Sequence, residues 1–345
     1  SYIAMPGGLT RSNTGANSFI ISNQTGGISK DTWVLSSDDE QEQPVSLQLN
    51  SESLQHKTLK RSLPSHTAEN LFWVGRYTER VIYNARLQRT VMQKLLQSNK
   101  TFVADDDSSE AVLLQTVTQC TYTFPGFFEE SSSAKREELY AKPWTELTDV
   151  LYNEKRNGSL SHNLSLLKNA VYSVRNFWAL DTWRVLRQME DEWNRAKTDT
   201  NTDHLKMIGS IDSLNTSMFA FLGMNRESVR REQGWNIMDL GRKLEQSLYL
   251  ITLLRSVFQK KQEEQAEHEL LESVMIAGQS LITYRYTYRD HLQLPLVLEL
   301  LMLDTNYLKS LAYLVKKIKR YISLLHKEGK EIQLSSKQRN IQEAD

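Results

Sequence analysis

The 345-residue sequence contains one cysteine, Cys120, so no disulfide can form within the chain. Such usage fits a reducing compartment. No charge of either sign is in surplus, with 42 Lys and Arg balanced by 42 Asp and Glu. That balance argues against nucleic acid or an anionic membrane as a general partner. Long hydrophobic runs are missing as well. The most apolar stretch, HLQLPLVLELLMLD, carries Pro295 and Glu299 and is too short to cross a bilayer. With no signal peptide or lipidation pattern at its start, the chain reads as soluble and cytoplasmic. The seven histidines include no pair at metal-ligand spacing. Asp105–Asp107 lack the glycine and closing glutamate of a calcium loop and read as a solvated helix cap. Cys120 has no activating partner nearby in sequence and reads as a structural thiol.

What is present falls into two parts. In residues 1–45, SYIAM, NSFIISN and DTWVLS have the β-branched and aromatic character of short strands, with PGG and TGG between them as turns. Starting at Ser1, in what reads as mid-strand, the chain looks like a piece of something longer. Polar composition over residues 36–62 marks a linker, placed at 46–63. From residue 64 the pattern is helical. Helices are expected over about 65–99, 108–122, a run broken at Pro143, 162–195, 203–222, 225–260, 263–290 and 294–328, with 329–345 as a frayed tail. The fold class is therefore mainly all-α: a multi-helix bundle over 64–328, preceded by a short strand-containing tail.

One stretch recurs inside the bundle. GRYTERVIYNARLQR (75–89) aligns without a gap with GRKLEQSLYLITLLR (241–255), and six of fifteen positions coincide. They include Gly75/Gly241, Arg76/Arg242, Glu79/Glu245 and Tyr83/Tyr249, whereas Arg80 faces Gln246. At helical spacing, Glu69, Trp73, Arg76, Arg80, Tyr83 and Leu87 share one stripe, and apolar residues occupy the other faces. A helix apolar on all sides is central and buried, so its arginines need carboxylate partners. Glycine in mid-helix makes sense where a second helix crosses closely. Two readings are open. Either Arg76, Glu79, Arg242 and Glu245 form an internal network about a pseudo-twofold axis, or they line a cleft for an anionic or amino-bearing ligand.

The stretch LPSHTAENLFWVGRYTERVIYNARLQ resembles the start of the bacterial alpha-E domain, and GWNIMDLGRKLEQS is similar to that family's second Gly-Arg helix. YRYTYR (284–289) and ELLMLD (299–304) resemble its later segments, so the likeness covers about 64–328. Where the family leads one to expect Asn-Pro-Arg-Ser, this chain has Tyr307-Leu308-Lys309-Ser310. The motif cluster implied is Glu69, Arg76, Glu79, Arg80, Arg242 and Glu245. Separately, MPGGLTR and SNQTGGISKDTWVL look like the C-terminal tail of circularly permuted type 2 ATP-grasp domains, which are often fused or linked to alpha-E domains. That resemblance implies a parent protein that activates a carboxylate with ATP and Mg²⁺ and joins it to an amine. Gly7, Gly8, Arg11 and Lys30 would be its phosphate contacts here. It also implies an upstream ATP-grasp domain as partner, with a partner enzyme or peptide as further candidates. This stretch alone would be inactive. The alternative is a non-catalytic helical interaction or oligomerisation module.

Overall fold

The computed structural model describes residues 7–12, 28–33, 63–98, 108–128, 133–199, 203–289 and 291–342. The chain divides into two units between Leu59 and Lys60. In the first, strands β1 (Gly7–Ser12) and β2 (Ile28–Trp33) form an antiparallel pair. The strands expected at SYIAM and NSFIISN lie outside the described residues, as do the TGG glycines. Gly7 and Gly8, expected in a turn, instead open β1, where they pair with Trp33 and Thr32. Glycine is disfavoured in a strand by its conformational freedom, and here the ladder with β2 runs over both.

The second unit is all helical among the described residues. Its helices are α1 (Ser65–Ser98), α2 (Ser109–Thr121), α3 (Ser133–Ala141), α4 (Pro143–Tyr152), α5 (Leu160–Ser173) and α6 (Leu180–Thr198). There follow α7 (His204–Ser228), α8 (Gln233–Val257), α9 (Glu264–Ala277), α10 (Leu281–Tyr288), α11 (Leu294–Leu298) and α12 (Leu311–Gln342). No helix is long and apolar enough to cross a membrane among the described residues. Local signals account for several starts. Ser108 caps α2, Pro143 opens α4, and Ser159 caps α5 through the His162 N–H.

Three long helices expected from periodicity are each divided in two. The run at 162–195 breaks between α5 and α6, where the Trp178 indole donates to Val171 O while its ring packs near Phe221. The run at 263–290 breaks at Gly278–Ser280, with Gln279 in the left-handed region at φ 48°. The run at 294–328 passes through a π-helical turn at Glu299–Leu303 and then bends. There Asp304 accepts from the Asn306 and Tyr307 N–H groups, and Ser310 caps α12. These last two breaks hold each other. Tyr307 donates to Ser280 Oγ, and Lys309 Nζ donates to the carbonyls of Gly278 and Gln279. Side chains distant in sequence supply those bonds, so periodicity could not show them. Gly223, where a break was expected, lies inside α7. The backbone of α12 stays helical through Gln342, across the segment expected to fray.

At the centre, α1 and α8 form the most extensive helix pair. Helix α1 also packs against α2, α5, α7 and α9, and α8 against α2, α9 and α12. Eight consecutive residues, Val81–Gln88, are buried in α1, which requires neighbours on every side. The two helices touch backbone to backbone at the repeat glycines. A Cβ on Gly75 would collide with Met238 O, and one on Gly241 would collide with Phe72 O. Phe72 and Met238 are themselves equivalent in the repeat, each three residues before its glycine. The contact is therefore reciprocal about a pseudo-twofold axis, at a separation that permits Cα–H···O contacts.

Because each obstacle is a backbone carbonyl, neither can move aside. Gly75→Ala and Gly241→Ala are each expected to lower unfolding stability by about 3 kcal/mol in urea titration. Gly223→Ala is the control. It has open space around it and should gain up to about 1 kcal/mol. Equal small effects at all three positions would contradict a close crossing.

Candidate functional site

The repeat places its charged groups on both sides of the glycine contact. Arg76 Nε donates to Glu245 Oε2. Arg80 joins the same carboxylate, Nε to Oε1 at 2.7 Å and Nη2 to Oε2 at 3.1 Å. In the mirrored position Arg242 holds Glu79, with Nε at 2.7 Å and Nη2 at 2.6 Å from Oε1. Arg76–Glu245 and Arg242–Glu79 are thus one interaction made twice. Glu79 and Glu245 are both buried, so each carboxylate needs the opposing helix as its counterion. Further along the axis the equivalent Tyr83 and Tyr249 stack, with ring centroids 4.4 Å apart and planes at 22°. Aromatic rings also shelter the arginines. Arg76 lies 5.4 Å from the Trp73 centroid, and Arg80 lies 5.6 Å from that of Tyr77. This answers why charged and aromatic residues share a stripe: the stripe faces the twin helix.

Five of the six cluster residues expected from sequence meet at this crossing. Glu69 does not; it is exposed, two turns before the crossing. Sharing a stripe fixes only the direction of a side chain, not what the partner helix presents opposite it. These groups pair with one another across the crossing, as in the first of the two readings left open, and Arg76, Arg80 and Glu245 also line a cavity. Of the hairpin residues, Thr10 pairs with Lys30 and Arg11 with Ser29. Positions 11 and 30 are therefore one rung apart.

Several participants were not visible in the motif. Asp239 accepts from Arg242 Nη1 at 3.1 Å, and Tyr321 of α12 donates to its other oxygen at 2.6 Å. Burial alone would lower the Arg242 pKa, but Glu79 and Asp239 outweigh it and raise it. Arg86 is buried over the Phe219 ring at 4.8 Å, and burial lowers its pKa. Lys309 lies at the break it stabilises. Burial, then the nearby Arg86, pushes its amine down to about 8, and Glu79 opposes that shift. It occupies the third position of the tetrapeptide that departs from Asn-Pro-Arg-Ser. Cys120 is buried, and burial raises its thiol pKa, which fits the structural role expected of it.

The sequence profile of a family named Alpha-E, described as "a predicted alpha-helical domain with a conserved ER motif", matches residues 63–345, so the chain belongs to that family. The only Glu-Arg dipeptide in this sequence is Glu79-Arg80. These adjacent residues serve opposite partners across the axis, Arg242 and Glu245. The chain is also similar to "Uncharacterized protein Rv2567" of Mycobacterium tuberculosis (strain ATCC 25618 / H37Rv), 25% identical over 254 residues. "Uncharacterized protein Mb2597" of Mycobacterium bovis (strain ATCC BAA-935 / AF2122/97) is 25% identical over the same length. Each alignment covers 72% of this chain and only 28% of the relative. No solved structure matches.

Two outcomes test this geometry. Glu245→Gln should cost about 3 kcal/mol in urea unfolding, because two guanidinium groups lose their carboxylate. Replacing Arg76, Arg80 and Glu245 together by Met, Met and Leu should recover most of that loss. Lys309 should give a pH signature. Its folded pKa, about 8, lies below the ordinary 10.5. Between those values the unfolded chain binds more protons, so stability gains with rising pH. The unfolding free energy of the wild type relative to Lys309→Met should therefore increase from pH 8 to 10.5. A flat difference would contradict the burial of the charged amine.

Proposed function

We propose that the Alpha-E domain of this chain is a non-catalytic helical module that holds substrate or a partner for an ATP-dependent carboxylate–amine ligase. The observation that carries the non-catalytic part is the reciprocal pairing at the α1–α8 crossing. Glu79, Glu245, Arg76 and Arg242 neutralise one another inside the bundle. A carboxylate saturated by two guanidinium groups is a poor general base, and the buried thiol of Cys120 is a poor nucleophile. The motif therefore builds a rigid scaffold.

The ligase part rests on the resemblance of residues 1–35 to an ATP-grasp tail. The relatives are much longer than the region they share with this chain, as expected for a module attached to other domains. In this reading ATP and Mg²⁺ bind the ATP-grasp domain. Gly7 and Gly8 let a phosphate approach the backbone, and Arg11 and Lys30 offer charge from neighbouring rungs. A second reading, a module for interaction or oligomerisation, is favoured by one feature. Ile282 and Tyr286 sit one turn apart on α10 and are 84% and 82% exposed.

The ligase reading is tested by phosphate release from ATP in the complete ATP-grasp–Alpha-E protein, assayed with mixed amino acids and short peptides. Release should require Mg²⁺ and an amine acceptor. Arg11→Ala with Lys30→Ala should reduce it at least tenfold. Deleting the helical domain should raise KM for the acceptor while ATP still binds. If the complete protein neither binds nor hydrolyses ATP, the ligase reading is lost and the interaction module remains.

A further inference from the structure

The pseudo-twofold is broken, and the break leaves a space. At one end of the crossing Arg242 meets Glu79 and Asp239, and Tyr321 from α12 closes over Asp239. There a single guanidinium serves two carboxylates, and Lys243 lies within electrostatic reach of both. At the other end, Trp73 stands where the twin has Asp239, and Arg80 stands where it has Gln246. This end holds two cations, Arg76 and Arg80, against the single carboxylate of Glu245. It opens into a cavity of about 160 Å³ lined by Arg76, Arg80, Asn84 and Glu245, with Cys120 in the wall and the exposed Tyr122 at the edge.

Hydrogen-bond accounting shows what the cavity lacks. Arg76 uses only Nε on Glu245, and Arg80 uses Nε and Nη2. The remaining guanidinium N–H groups have no protein acceptor among the described residues. Asn84, one turn beyond Arg80, is 1% exposed, and neither its amide nitrogen nor its amide oxygen has a partner. Leaving a buried amide unpaired is unfavourable, and natural structures rarely do so without a ligand or a water. Its counterpart in the twin helix is Leu250, so the helix can carry an apolar residue there.

We propose that this cavity binds a small carboxylate flanked by an amide, as at the C-terminus of a peptide or acylated amino acid. The carboxylate takes the free N–H groups of Arg76 and Arg80, which restores charge balance at this end. The neighbouring amide offers both a donor and an acceptor, so Asn84 can donate to its carbonyl or accept from its N–H. The volume holds a group about the size of benzene. A longer acyl chain would leave past Tyr122. The proposal stands whether or not the ligase reading does, because it concerns binding without ATP.

The test is calorimetric and ligand-observed NMR titration of the intact chain with N-acetylglycine, inorganic phosphate and acetamide as probes. N-acetylglycine should bind saturably, and more tightly than phosphate or acetamide by at least tenfold. Arg80→Gln and Asn84→Leu, which install the residues of the twin helix, should each weaken it about tenfold. Asn84→Leu should also melt no lower than wild type, since it removes an unpaired amide, and this keeps the binding result readable. Equal binding of phosphate would reduce the site to a general anion site and overturn the carboxylate–amide assignment. No saturable binding of N-acetylglycine, or binding unchanged in both variants, would overturn the proposal itself.

Discussion

Everything in the helical unit depends on two backbones meeting at Gly75 and Gly241. Only at that separation can Arg76 reach Glu245 while Arg242 reaches Glu79. The two requirements are linked. A side chain at either glycine would push α1 and α8 apart, and separating the helices would strand four charges where little water reaches. Breaking such a pair is costly even though forming it gains little, so the network acts through specificity. It fixes the register and angle of the crossing, and the surrounding helices pack on a core whose geometry is already set.

Symmetry explains the frame, and departure from symmetry explains the chemistry. The reciprocal pairs, the stacked tyrosines and the glycine contacts obey the pseudo-twofold. Asp239 in place of Trp73, and Gln246 in place of Arg80, do not. The first substitution gives one end an extra anion, which the protein covers with its own Tyr321. The second gives the other end an extra cation beside an unpaired amide, with Tyr122 only at the edge of the cavity there. A duplicated helix thus yields two unlike ends, one covered by Tyr321 and one open to a cavity.

Much of this was legible in the residues. The helical class, the central position of α1 and the repeat follow from periodicity, whereas the pairing of its charges was one of two readings left open. The hairpin was less legible: Gly7 and Gly8 read as a turn but lie in a strand. Breaks within long periodic runs were missed. Gln279 adopts a left-handed conformation that its residue type does not advertise, and Lys309 secures it from thirty residues away. Glu69 was grouped with the cluster because it shares a stripe, and angle along a helix says nothing about which side chains the partner helix presents there.

The sequence by itself determined that the bundle is helical, which helix is surrounded, and that it holds two copies of a Gly-Arg-x-x-Glu helix. It could do so because those properties depend on local spacing and on the sign of charges. Tertiary structure decided which carboxylate each arginine holds, which end of the crossing α12 covers, and where a cavity remains beside Asn84. Those outcomes depend on distances between segments 82 to 169 residues apart. Such distances are set by packing of the whole core and are written in no single stretch.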